Sequence, residues 1–186
     1  DKTDDKELKN ELSAISKDAS EIKDRFYRDL EFGTGGLRGI IGAGTNRMNV
    51  YTVRRATQGL ADHLLGKGNT PSVCIAYDTR NKSLEFAQTA AEVLCGNGIK
   101  TYLFDSVHPT PILSFAVRHM KAAAGIVITA SHNPKQYNGY KVYGPDGGQI
   151  TDSAAKEILA CIENADYFSS TKTIPLKEAL EKGLLT

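Results

Sequence analysis

The chain has 186 residues, enough for one domain with a sizeable core and too few for a large multidomain enzyme. Its 23 basic and 22 acidic residues nearly cancel to a formal charge of +1 and neither sign forms a long block, so composition gives no electrostatic basis for nucleic acid or a charged membrane surface. A small anion, which needs only a local cluster, is still allowed. No run is long and apolar enough to span a bilayer, the first five residues are the opposite of a secretion signal, and Cys74, Cys95 and Cys161 show neither CxxC nor zinc-like spacing. The expectation is a cytoplasmic protein with buried free thiols.

Residues 1–31 are rich in Lys, Glu and Asp, with Leu8, Leu12, Ile15, Ile22 and Phe26 at roughly helical spacing. They read as an amino-terminal extension of one or two amphipathic helices, ahead of a domain over residues 32–186. "GTGGLRGIIGAGTNRMN" then crowds six glycines around a short apolar segment, predicting a loop, a strand and another loop. "VYTVRRATQGLADHLLGKG" predicts a helix ending at a glycine, "SVCIAYDTR" a strand, and "NKSLEFAQTAAEVLCGNG" a helix starting near Asn81 or Ser83. "KTYLFDSV" follows as a strand, "TPILSFAVRHMKA" as a helix with Pro111 in its first turn, and "AGIVITA" as a strand. This alternation predicts an α/β fold, a layered and mostly parallel sheet with helices on both faces. Beyond it, Asn138-Gly139 predicts a hairpin turn, "YKVYGPDGGQI" a short ribbon, and Thr151 or Asp152 the cap of a last long helix. The final residues show no obvious closing element.

The chemistry-bearing motifs lie at strand ends. "GTGGLRG" lacks GxGxxG spacing and the strand-turn-helix context of a dinucleotide site, and by itself is a flexible turn. Arg38 adds a guanidinium that can reach a phosphate bidentately while its small neighbours permit close approach. Asp78 and Arg80, in "YDTR", fall where open α/β sheets meet ligands, but an ion pair or helix cap is the favoured reading and they serve only as support. His108, followed by Pro109 and Pro111, marks a structural turn. In "GIVITASHNPKQYNGYK" a buried strand ends on Ser131 and His132, and Lys141 returns toward the serine. A hydroxyl to carry a group, cations to offset charge and an ionisable neighbour to move a proton suit phosphoryl transfer. GxSxG, Walker A and HExxH are missing, which sets aside the commonest hydrolase, nucleotidase and zinc-protease readings.

"TASHNP" at 129–134, with "YNGYK" ending at Lys141, resembles the phosphoserine loop of the alpha-D-phosphohexomutases, the phosphoglucomutase/phosphomannomutase superfamily. "FGTGGLRG" at 32–39 is similar to that family's amino-terminal loop, and "YDTR" and "HPTP" occur in the expected order. The resemblance implies domain I of a mutase that interconverts sugar 1- and 6-phosphates through a phosphoserine and a bisphosphate intermediate. Ser131 is the implied phosphoserine, whose phosphate supplies one ligand to Mg²⁺. On the same resemblance Arg38 would stabilise the transferring group, and Thr34, Arg38, Asn133 and Lys141 would bind phosphate or substrate. His132 and Lys141 are the alternatives for proton transfer.

The family resemblance also implies glucose 1,6-bisphosphate as activator, a sugar phosphate as substrate, and the remaining domains of a longer enzyme as partners. The family's DxDxDR metal loop and its later sugar- and phosphate-recognition loops are missing from this sequence. The expectation is therefore a donor of the nucleophile and not a complete mutase. The alternative is a non-catalytic sugar-phosphate-binding module of the same fold.

Overall fold

The computed structural model describes residues 3, 5–68 and 70–186. Two short helices come first, α1 (Lys6–Ala14) and α2 (Ala19–Phe26), capped by the carboxylates of Asp5 and Asp18 on free amides of the first turn. Strand β1 (Leu37–Ile40) leads to α3 (Val50–Leu65), which opens with a capping box. There Asn49 accepts from the Tyr51 and Thr52 amides, and the Thr52 hydroxyl accepts from the Asn49 amide. The regular part follows as β2 (Ser72–Tyr77), α4 (Ser83–Gly96), β3 (Lys100–Leu103), α5 (Thr110–His119) and β4 (Ala124–Ile128). Strand β5 (Tyr137–Tyr143), α6 (Asp152–Asn164) and α7 (Leu176–Glu181) complete it.

The five strands form one sheet in the order β1-β5-β4-β2-β3. Helix-linked strands pair in parallel, β2 with β3 and β2 with β4, as crossover connections require. The other half of the sheet is antiparallel. The short loop from β4 to β5 leaves no length for a crossover, so β5 returns beside β4, and β1 adds to its outer edge.

Period-two alternation sorts the strand side chains between two cores. Val73, Ile75, Tyr77, Ala124, Ile126 and Ile128 pack with α3, α4 and α6, whereas Cys74, Ala76 and Val127 pack with Leu113 and Val117 of α5. Helices thus cover both faces. Each fully buried Ile or Leu contributes roughly 1.5–3 kcal/mol relative to an exposed side chain. Cys74 and Cys95 are buried, Cys161 is half-buried, and all three are free thiols.

Two sequence expectations change at the edges. Asn138-Gly139 is not a turn but lies inside β5, and the reversal is made by residues 130–137, where Asn133 N–H donates to Ala130 and Tyr137 N–H to Pro134. Gly139 is needed for another reason: a Cβ there would lie 2.6 Å from the Thr129 carbonyl oxygen and 2.9 Å from that of Leu37, so only glycine lets the three strands close up. The carboxyl-terminal residues do have a closing role. Thr101 and Leu103 donate to the carbonyls of Leu184 and Thr186, and Thr186 donates back to Thr101, which pairs the end of the chain along the free edge of β3.

The helical extension is bound by polar contacts. Glu11 accepts from the Ala43 amide and pairs with Arg25, Arg47 pairs with Asp24, and Lys82 at the start of α4 pairs with Glu7. Among the described residues, no helix is long and apolar enough to cross a membrane.

Candidate active site

Parallel pairing of Tyr77 with Ile128 brings the carboxyl ends of β2 and β4 side by side. The loops that leave them, 78–82 and 129–136, therefore share one crevice, the place where open α/β sheets present ligand groups. Ser131 stands at its rim with φ of 54°, a left-handed conformation that a side chain other than glycine adopts at a cost of about 1 kcal/mol or more. Its amide donates to the Thr129 hydroxyl at 3.0 Å.

The loop is tied down from the β2 side. Arg80 donates to the carbonyl oxygens of Ser131 (2.6 Å), Asn133 (2.8 Å), Pro134 (3.1 Å) and Tyr137 (3.2 Å). Asp78 in turn orients Arg80, with a 3.4 Å ion pair to its Nε and a 2.9 Å hydrogen bond accepted from its amide. The ion pair expected of "YDTR" is present, and the grip on the loop is what its sequence did not reveal. A positively charged residue three positions beyond a strand end was the available signal.

Lys141 donates from Nζ to Ser131 Oγ at 2.8 Å. Partial burial, and then the positive charge of Arg38, push its ammonium below the usual lysine pKa, with Asp78 opposing. Arg38, across the β1–β5 pair, donates to the side-chain oxygen of Asn133 at 3.3 Å. The structure thus joins Ser131 to Lys141 and Arg38 to Asn133. His132 and Thr34, the latter at the tip of the glycine hairpin, are exposed, and among the described residues neither side chain is hydrogen-bonded to Ser131, whose Oγ accepts from Lys141. His108 is structural, its amide donating to Tyr77 and its ring packing on Phe104.

The glycine segment forms a tight turn in which Gly33 and Gly36 exchange backbone hydrogen bonds. Between this turn and β5 lies an open groove of about 590 Å³, bordered by Arg28, Glu31, Arg38, Lys141 and Gln149. Its three cations face one carboxylate, a surplus suited to an anion.

Asn138 fastens the crevice from below. Fully buried, it donates to the Asn81 carbonyl at 2.9 Å and to Ser83 Oγ at 3.0 Å, while Ser83 donates to Asp78. Asn138→Ala strands these acceptors, and urea unfolding is expected to report a loss of about 1–3 kcal/mol.

No group of three or more His, Cys, Asp or Glu side chains among the described residues is placed to hold a metal ion. Around Ser131 the charged neighbours are the cations Lys141 and Arg38, and Asp78 is engaged by Arg80 and Ser83. This surrounding does not fit a hard cation that needs several oxygen ligands.

Comparison with known proteins agrees with this architecture. Residues 29–168 match the phosphoglucomutase/phosphomannomutase α/β/α domain I model. A phosphoglucomutase of Staphylococcus haemolyticus is 49% identical over 139 residues, 75% of this chain and 25% of its own length. One of Staphylococcus aureus is 50% identical over 143 residues, 77% of this chain and 26% of its own. A crystal structure from Thermus thermophilus, provisionally named a phosphomannomutase, superposes with a TM-score of 0.69 at 39% identity, covering 83% of this chain and 35% of that one. The chain spans about a quarter of the length of the curated relatives it matches. With the motifs, the mixed sheet and the family match coinciding on the same residues, this chain belongs to the phosphoglucomutase/phosphomannomutase family and comprises its domain I.

Proposed function

We propose that this chain carries the phosphoserine of a sugar-phosphate mutase, interconverting 1- and 6-phosphates when joined to the rest of the polypeptide. The observation that supports it most directly is the 2.8 Å contact from Lys141 Nζ to the oxygen of a serine held left-handed at a strand's carboxyl end. In the proposed step the Ser131 Oγ–P bond breaks, the sugar hydroxyl oxygen bonds to phosphorus, and the hydroxyl proton leaves to a base. Lys141 offsets the charge that develops on Oγ, and Arg38 offers a second cation to the phosphoryl oxygens. The resulting bisphosphate, glucose 1,6-bisphosphate for a glucose substrate, returns its other phosphate to Ser131. Proton acceptance falls to exposed His132 or to Lys141, whose lowered proton affinity suits it to the exchange.

Mg²⁺ enters this reading only once Ser131 bears a phosphate, with its other oxygen ligands drawn from outside these residues. The remaining domains are the proposed partners that close the site and choose the sugar.

The test is the intact mass of the protein before and after incubation with glucose 1,6-bisphosphate and Mg²⁺. A gain of about 80 Da mapping to Ser131 is expected. Absence of phosphate on Ser131 in the complete polypeptide during turnover overturns the proposal.

A further inference from the structure

Arg80 collects carbonyl oxygens from four residues of the serine loop, an arrangement that a helix cap or a simple ion pair with Asp78 does not require. Its guanidinium is largely withdrawn from solvent, with 15% side-chain exposure, and its planar fork spans the loop where a lysine could reach only part of it. Two consequences follow from elementary geometry. Fixing the Ser131 and Asn133 carbonyls on one side of the loop sets the turn that contains the left-handed serine, at a φ of 54° that would otherwise relax. Because the peptide unit is planar and trans, holding the Ser131 C=O on the guanidinium turns the His132 N–H away from it. That amide has no acceptor among the described residues. A free backbone N–H next to a left-handed residue supplies one donor that an anion can use, beside the Ser131 amide that is held by the Thr129 hydroxyl.

We infer that Arg80 is a positioning residue for phosphoryl transfer: by gathering the loop's carbonyls it holds Ser131 Oγ against Lys141 and leaves the His132 amide free to bind a phosphoryl oxygen. The inference rests on the phosphoserine reading and adds to it a group that touches neither substrate nor phosphate. Asp78 belongs to the same device, since it sets the guanidinium's orientation, and Asn138 and Ser83 hold Asp78's loop.

The experiment compares wild type, Arg80→Ala and Arg80→Lys in the complete polypeptide. A displacement of the serine by about 1 Å is expected to lower kcat on the order of 10²-fold in Arg80→Ala while KM changes by less than about threefold. Added guanidinium ion is expected to recover roughly tenfold of the loss in Arg80→Ala, whereas Arg80→Lys stays impaired because an ammonium cannot span the carbonyls. Amide exchange of residues 131–137, followed in the same variants and in the 186-residue chain, is expected to accelerate about tenfold with β2 and β4 unchanged.

Loop exchange that stays at the wild-type rate overturns the inference, as does a kcat within about threefold of wild type. A loss of activity that guanidinium leaves untouched, together with faster exchange throughout the sheet, also overturns it by assigning Arg80 to general stability. Failure of the phosphoserine reading has a different signature: wild-type polypeptide that never carries phosphate on Ser131.

Discussion

Ser131→Ala in the complete polypeptide is expected to lower sugar-phosphate interconversion on the order of 10⁴-fold or more, because it removes the atom that carries the phosphoryl group. Binding of sugar phosphate should change little, since Arg38, Lys141 and the groove they border are unaltered. A non-catalytic binding module predicts a different result: no transfer in the parent protein and only altered binding in the variant. Ser131→Gly separates strain from chemistry. Glycine accepts a φ of 54° without penalty, so this variant should lie within about 1 kcal/mol of wild-type stability and be as inactive as Ser131→Ala. Residual activity above about 1% in either variant, with host mutase removed, would show that the hydroxyl is not the carrier.

Gly36→Ala is expected to be the most damaging single-methyl change in the site. Gly36 has φ of +71°, and a Cβ there would lie 1.9 Å from the Tyr140 carbonyl oxygen and 2.9 Å from the Lys141 Cα. Both partners are backbone of β5, so no side-chain rotation relieves the contact. The turn must open or β1 must shift against β5, and either moves Arg38 and Lys141. A destabilisation of about 3–5 kcal/mol by urea or thermal unfolding is expected, with activity falling further than stability alone explains. Gly35→Ala is the control. A Cβ at Gly35 meets nothing within 4 Å, so its effect should stay within about 0.5 kcal/mol. Equal stability of the two variants would refute the close-approach account of Gly36.

The order of elements from Val50 to Asn164 was legible because each carries its own local signal. Buried strands read as short apolar runs, α3 stops at Gly66, α5 starts with Pro111, and Thr151 caps α6. The serine loop was legible for the same reason: a polar Pro-containing run ends a strand whose five residues are all buried. Asn138-Gly139 misled because a dipeptide that favours hairpin turns also serves where a strand needs a buried amide and no side chain at all. Which demand applies depends on Thr129 and Leu37, whose carbonyls approach Gly139 from flanking strands. The closing role of residues 184–186 was equally invisible, since three residues of edge pairing have no periodicity.

By itself the sequence determined the layered α/β class, the order of the helices and strands from α3 to β4, and Ser131, His132 and Lys141 as residues worth placing together, with Arg38 as a further cation, because periodicity, caps and strand-end motifs act over a few neighbouring residues. Only the tertiary structure decided that β5 runs antiparallel beside β4, that Lys141 and not His132 contacts the serine oxygen, and that Arg80 grips a loop about fifty residues away in the chain. Those outcomes depend on hydrogen bonds and close approaches between segments distant in sequence, whose geometry is fixed only when the whole sheet packs.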